Sequence, residues 1–204
     1  MENAMIGSTL RAVAYHAVPK SSESSFSRQL DYFAKHYIPL DAEGFARFLD
    51  QGSCEVSGMR RKYGHSAGKA KISNKQASMQ CKPGLIISFD DGLMEHYEIA
   101  APLLEARGMR GWFFVTSTLP GLAPEFQEGF CASHEISLHK KTAHLGKAQH
   151  SFVSSHVAMS WNEILDLAKR GHVIGCHTAH HVRMRPTLDT AILFDEIVEA
   201  KKEL

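Results

Sequence analysis

The sequence predicts an α/β fold, and three observations carry that reading. Short apolar runs end in polar or charged residues, and helical periodicity falls between them. One strand, helix, strand succession also fits within about 30 residues, the βαβ spacing that makes parallel sheet. With 204 residues, 44% hydrophobic and 22% charged, the chain can bury one core, and a single domain over 1–204 is expected.

Arg11 to Val18 reads as a strand that stops at Pro19, which cannot continue a sheet ladder, and His16 stands near its end. Phe26, Leu30, Phe33 and Tyr37 recur on one helical face, and Asp41 is placed to cap a second short helix presenting Phe45, Phe48 and Leu49. Residues 51–84 lose apolar periodicity and gather Arg60, Arg61, Lys62, Lys69, Lys71, Lys75 and Lys82 against Glu55. An irregular insertion is expected there.

Leu85 to Phe89 has the composition of a buried strand, and Asp90, Asp91 and Gly92 terminate it. Tyr97, Ala100, Ala101 and Leu104 then share a helical face, Gly108 marks a helix stop, and Gly111 to Thr116 reads as the next strand. Residues 117–159 are expected to form a second irregular insertion. His134, His139 and His144 lie in it at five-residue spacing, which turns them about 140° apart on a helix, so a polar loop is expected. Ser160 to Glu163 supplies a capping box for a helix running to Gly171, with Trp161, Ile164, Leu165 and Ala168 expected inside. His172 to Cys176 reads as another strand, ending at His177 and Thr178, and a final helix from Thr187 presents Ile192, Ile197 and Ala200.

The 23 Lys and Arg nearly balance the 22 Asp and Glu, and a net charge of +1 exerts no global pull on nucleic acid or an anionic membrane. The first twenty residues hold no continuous apolar core of a secretory signal, and no run approaches the roughly 18 apolar residues of a membrane span, so a cytoplasmic location is expected. Cys54, Cys81, Cys131 and Cys176 stand far apart with no C-x-x-C pair, which suits reduced thiols. The 13 histidines are the compositional feature that invites a search for metal ligands.

A hydrolytic metal site needs about three protein ligands and a position left for water. Asp91, His177 and His181 supply that set, because the i, i+4 spacing of the two histidines lets both imidazoles face one ion. Asp90 is a separate carboxylate that can take a proton from water acidified by the cation. His180 competes with His181 for the ligand position, with spacing in favour of His181. Cys176 is either an extra thiolate ligand or an inert buried thiol. Both sets arise at the C-terminal ends of strands, where parallel α/β folds place their active sites.

These segments resemble the polysaccharide deacetylase superfamily, also called the NodB-homology or carbohydrate esterase family 4 group. The likeness rests on Ser88-Phe89-Asp90-Asp91-Gly92, on His177-Thr178-Ala179-His180-His181, on Trp112 to Val115 between them, and on Tyr15-His16-Ala17-Val18 with Phe26 and Tyr37. The resemblance implies Asp90 as general base and Asp91, His177 and His181 as metal ligands; an Asp-His-His donor set suits zinc, with cobalt, iron or manganese chemically acceptable. It further implies a distorted (β/α) barrel of about seven strands and hydrolysis of N-acetyl or O-acetyl groups on a sugar.

The family's later arginine segment and its Leu-x-His, whose histidine is the general acid, have no counterpart after His181, since Arg183, Arg185 and Pro186 lie too near it. Strands around Ala14, Tyr37, Ile87, Phe114 and Ile174 number at most about five, so the domain is expected to be C-terminally truncated and its barrel incomplete. The expected partner is an acetylated carbohydrate, with no nucleic acid and no membrane span; the oligomeric state stays open. Two rivals accompany this expectation: an inactive or weakly active metal-binding remnant, and nucleic-acid binding through the basic stretch 60–82.

Overall fold

A computed structural model describes residues 6–50, 82–138 and 156–204. Five strands form one sheet: β1 (Ile6–Tyr15), β2 (Ile38–Pro39), β3 (Lys82–Asp91), β4 (Trp112–Val115) and β5 (Val173–Cys176). All pairings are parallel, in the order β1-β3-β4-β5, with β2 also against β3. β1 runs beside residues 84–89, so β2 and β4 share the other edge of β3, one against its start and one against its end. The α/β class and the parallel sheet agree with the sequence, and so does the strand count. The described strands form an open sheet, with β1 and β5 at its edges.

β3 is central because its sequence suits burial on both faces. Leu85, Ile87 and Phe89 are buried on one face and Gly84 and Ser88 on the other. Phe89 stacks on Phe113 and Tyr15 at centroid distances of 4.9 and 5.6 Å, with Phe26 edge-on at 6.0 Å. Helix α1 (Glu23–His36) adds Phe26 and Leu30 to this core, with Phe33 and Tyr37 at its margin. A second helix, α2, covers residues 42–50. The Asp41 carboxylate accepts from Gly44 N–H at 2.7 Å, the expected N-cap. Phe45 packs edge-on against Trp112, while Leu49 is exposed rather than buried.

After Gly92 the chain is helical from residue 94, passing through a π-helical segment, His96–Ala100, into α3 (Ala101–Glu105). Residues 117–138 depart from the irregular stretch expected over 117–159, because α4 (Pro124–Ser133) forms there. Pro at its first position predisposes the turn to helix. Buried Gln127 fixes it, its side-chain oxygen accepting from Val157 and Ala158 N–H at 2.9 and 3.1 Å. Leu93, Leu119, Cys131, Ile136 and Ala158 make a second small core beneath it. His134 closes α4, whereas His139 and His144 lie outside the described residues, as do Cys54, Cys81 and the basic stretch before Lys82. Lys82 itself begins β3, inside the expected 51–84 insertion.

The capping box at Ser160 and Glu163 starts α5 (Trp161–Lys169). Its buried face is Ile164 and Leu167; Trp161, Leu165 and Ala168 are exposed, contrary to the expected face. A nine-residue helix lays one narrow stripe on the sheet, and the i, i+3 pair occupies it. The last helical run is capped by Asp189 and consists of α6 (Thr190–Phe194), a π-helical segment Asp195–Glu199, and α7 (Ala200–Lys202). Its inward residues are Glu196 and Ala200, while Ile192 and Ile197 are exposed. No helix among the described residues is long and apolar enough to cross a membrane.

Candidate functional site

Sheet register assembles the site. Asp91, Val115 and Cys176 lie in line across β3, β4 and β5, and His177 N–H extends the ladder to the Val115 carbonyl at 2.8 Å. The first histidine therefore emerges beside the end of β3. Asp91 and Gly92 both take left-handed backbone, with φ of 80 and 83°, which turns the Asp91 side chain out of strand alternation. A Cβ on Gly92 would sit 3.0 Å from Val115 Cγ1, so glycine suits this turn on two counts.

The structure brings together Asp91, His177 and His181, whose ligand atoms all lie within 4.8 Å of one another. Asp91 is 1% exposed, and its Oδ1 has no hydrogen-bond partner. That oxygen faces His177 Nε2 at 3.6 Å and His181 Nε2 at 3.4 Å. Neither distance is a normal hydrogen bond. Two ligands each about 2.0–2.1 Å from a tetrahedral ion stand roughly 3.3 Å apart, so the spacing and the O, N, N donor set fit a shared cation. Burial raises the Asp91 pKa against the pull of His181 and His177, and burial lowers that of His177 against Asp90 and Asp91. A neutral imidazole is the form that ligates a metal, and a cation would favour the Asp91 carboxylate.

His181 is oriented from behind. Its Nδ1–H donates to the His134 carbonyl at 2.7 Å, which leaves the Nε2 lone pair toward Asp91. His134 thus contributes through its backbone at the end of α4, a role that its side-chain spacing in the sequence could not reveal. The loop between His177 and His181 is held by Glu196, which is 3% exposed and bonds to Ala179 and His180. His180 is turned toward Glu196 and lies outside the cluster of Asp91, His177 and His181, as does Cys176. Burial also raises the Cys176 pKa, which disfavours a thiolate ligand.

Asp90 takes a different environment from its neighbour. Its side chain is 16% exposed, and Oδ2 stands 3.8 Å from His16 Nε2 at the end of β1. The His16 segment is pinned below by buried His96, whose Nε2 lies 3.2 Å from the His16 carbonyl, and by Glu95, which accepts from Val18 N–H. A carboxylate and an accessible imidazole therefore stand side by side at the C-terminal ends of β1 and β3. The Tyr15-His16 pair was the signal for it, although spacing alone gave His16 no role.

A family model described as polysaccharide deacetylase matches residues 78–204, more than half of the chain. No curated protein matches the chain. Among solved structures, a Bacillus anthracis protein, BA0330, assigned as a polysaccharide deacetylase, superposes with a TM-score of 0.55 at 14% identity, over 95% of this chain and 46% of that one. The Streptococcus pyogenes deacetylase PplD, solved with acetate, gives 0.49 at 13% identity over 95% and 65%, and IcaB from Ammonifex degensii gives 0.47 at 19% over 87% and 56%. The B. anthracis likeness shows a shared fold. The chain spans between about half and about two thirds of the length of these structures.

Proposed function

Since the chain belongs to the polysaccharide deacetylase family, we propose that it removes acetyl groups from N-acetylated or O-acetylated sugars of a polysaccharide or glycoconjugate by metal-assisted hydrolysis. The observation that carries the proposal is the orphaned Asp91 Oδ1 facing two imidazole nitrogens, with a second, more accessible carboxylate next to it. Asp91, His177 and His181 hold the ion. Zinc suits this donor set best, and cobalt, iron and manganese are chemically acceptable.

When bound, a divalent cation acidifies water and polarises the acetyl carbonyl. Asp90, as the carboxylate, takes a proton from the attacking water. His16 gives a proton to the departing nitrogen or oxygen as its bond to the acetyl carbon breaks. Support for this assignment is its position 3.8 Å from Asp90 and its exposure to solvent, where a sugar can approach.

Acetate release from N-acetylglucosamine oligomers tests the proposal. Asp90→Asn is expected to lower turnover about 100- to 10,000-fold while zinc content stays at the wild-type level; an unimpaired variant contradicts the assignment. A second reading is metal binding without turnover. It predicts zinc uptake by the wild type with no acetate released.

A further inference from the structure

We propose that Glu196 is a positioning residue that holds the 177–181 loop in its metal-binding conformation and so makes the last helical run part of the metal site. The inference rests on the metal assignment made above. Glu196 projects inward, four residues before buried Ala200, and is itself 3% exposed. Its Oε2 accepts from Ala179 N–H at 3.1 Å and His180 N–H at 2.9 Å, and its Oε1 accepts from His180 Nδ1–H at 2.8 Å. The Glu196 backbone carbonyl also accepts from Ala179 N–H at 3.1 Å. A buried acid is costly unless its oxygens are used, and here both oxygens are engaged by one loop.

That loop needs restraint. Thr178 and His181 take φ of 68 and 57°, left-handed conformations that non-glycine residues adopt only when their surroundings impose them. On the sheet side, Ser117 N–H donates to the Thr178 carbonyl at 3.0 Å and Thr118 N–H to the Ala179 carbonyl at 3.2 Å. Within the loop, His181 N–H donates to Thr178 Oγ1 at 2.9 Å. The sheet side thus satisfies the Thr178 and Ala179 carbonyls, and Glu196 satisfies the N–H groups of Ala179 and His180, two of the three residues between the histidines. Releasing them would let His177 and His181 separate without unfolding the sheet.

Zinc titration calorimetry and the visible absorption of the cobalt-loaded chain test this, with Glu196→Ala, Glu196→Gln and His180→Ala beside the wild type. Removing groups that support metal ligands typically costs about 10- to 100-fold in affinity, and that loss is expected for Glu196→Ala, with an altered cobalt spectrum. Glu196→Gln keeps one acceptor and is expected to fall between. His180→Ala leaves the backbone contacts and is expected to bind close to wild type. A helix anchor with no influence on the loop would lower the urea midpoint of Glu196→Ala but leave zinc affinity and the cobalt spectrum of the folded protein unchanged, which overturns the inference. Should Glu196→Ala fail to fold, the near-isosteric Gln variant decides: wild-type affinity and spectrum overturn it. A wild-type chain that binds neither ion overturns the metal reading itself, a result distinct from equal binding by all variants.

Discussion

Asp90 and Asp91 are neighbours in sequence with different environments. Asp91 is sealed at 1% exposure with an unpartnered oxygen aimed at two histidines, and Asp90 opens toward His16. Burial suits a ligand whose charge a cation neutralises, and access suits a group that must exchange protons with substrate and solvent. The role proposed for His16 can be tested through the leaving group. His16→Gln is expected to slow release of acetate from an N-acetyl sugar about 100-fold or more, and to leave hydrolysis of an activated phenyl ester nearly unchanged, because a phenolate departs without a proton. Equal slowing of both substrates would show that His16 serves binding instead. Asp90, Asp91 and His177 were legible because they terminate apolar runs, and His181 because it stands four residues beyond His177. Glu196, His134 and His16 were given no role because they act across the fold, and their contacts depend on helices and strand ends far apart in sequence.

Elements differ in how plainly they were written. β3, β4, β5 and α1 carry strong periodicity and lie where expected. α4 was missed because its inward side is Gln127 and Cys131 while Phe126 faces solvent at 63% exposure. Its stability comes from a buried amide, which no hydrophobic pattern signals. Gln127→Leu is expected to strand the Val157 and Ala158 N–H groups and cost about 1–3 kcal/mol for each left unpaired, read as a lower urea midpoint. Strand β5 depends on close approach instead: a Cβ at Gly175 would lie 2.6 Å from the Phe114 ring. Gly175→Ala is expected to displace that ring and destabilise by about 1–3 kcal/mol. A midpoint equal to wild type would show that the sheet adjusts freely there.

For the whole molecule, the parallel sheet directs its functional groups to one end and buries other histidines within the core. His96 is fully buried, and burial pushes its pKa down from 6.5 to about 4; burial also lowers that of His172. The unfolded chain binds these protons more readily than the folded one, so the contribution of His96 is fully present above pH 6.5 and is lost as pH falls toward about 4, and that of His172 is likewise lost on acidification. For His96 alone the full shift corresponds to roughly 3 kcal/mol. Urea midpoints are therefore expected to fall between pH 7 and pH 5, and His96→Gln is expected to flatten that dependence; an unchanged slope would exclude His96 as its source. The five parallel strands of the described residues were legible from the strand count, but the approach of His16 to Asp90 was not, since parallel pairing of β1 with β3 carries the two together across more than seventy residues of sequence. The most direct test of a metal-assisted deacetylase is acetate release from N-acetylglucosamine oligomers by protein stripped with a chelator and then given one equivalent of zinc. The structure predicts no release from the stripped protein, recovery on adding zinc, and no recovery for Asp91→Ala; release that persists without metal, or that zinc restores to Asp91→Ala, would contradict it.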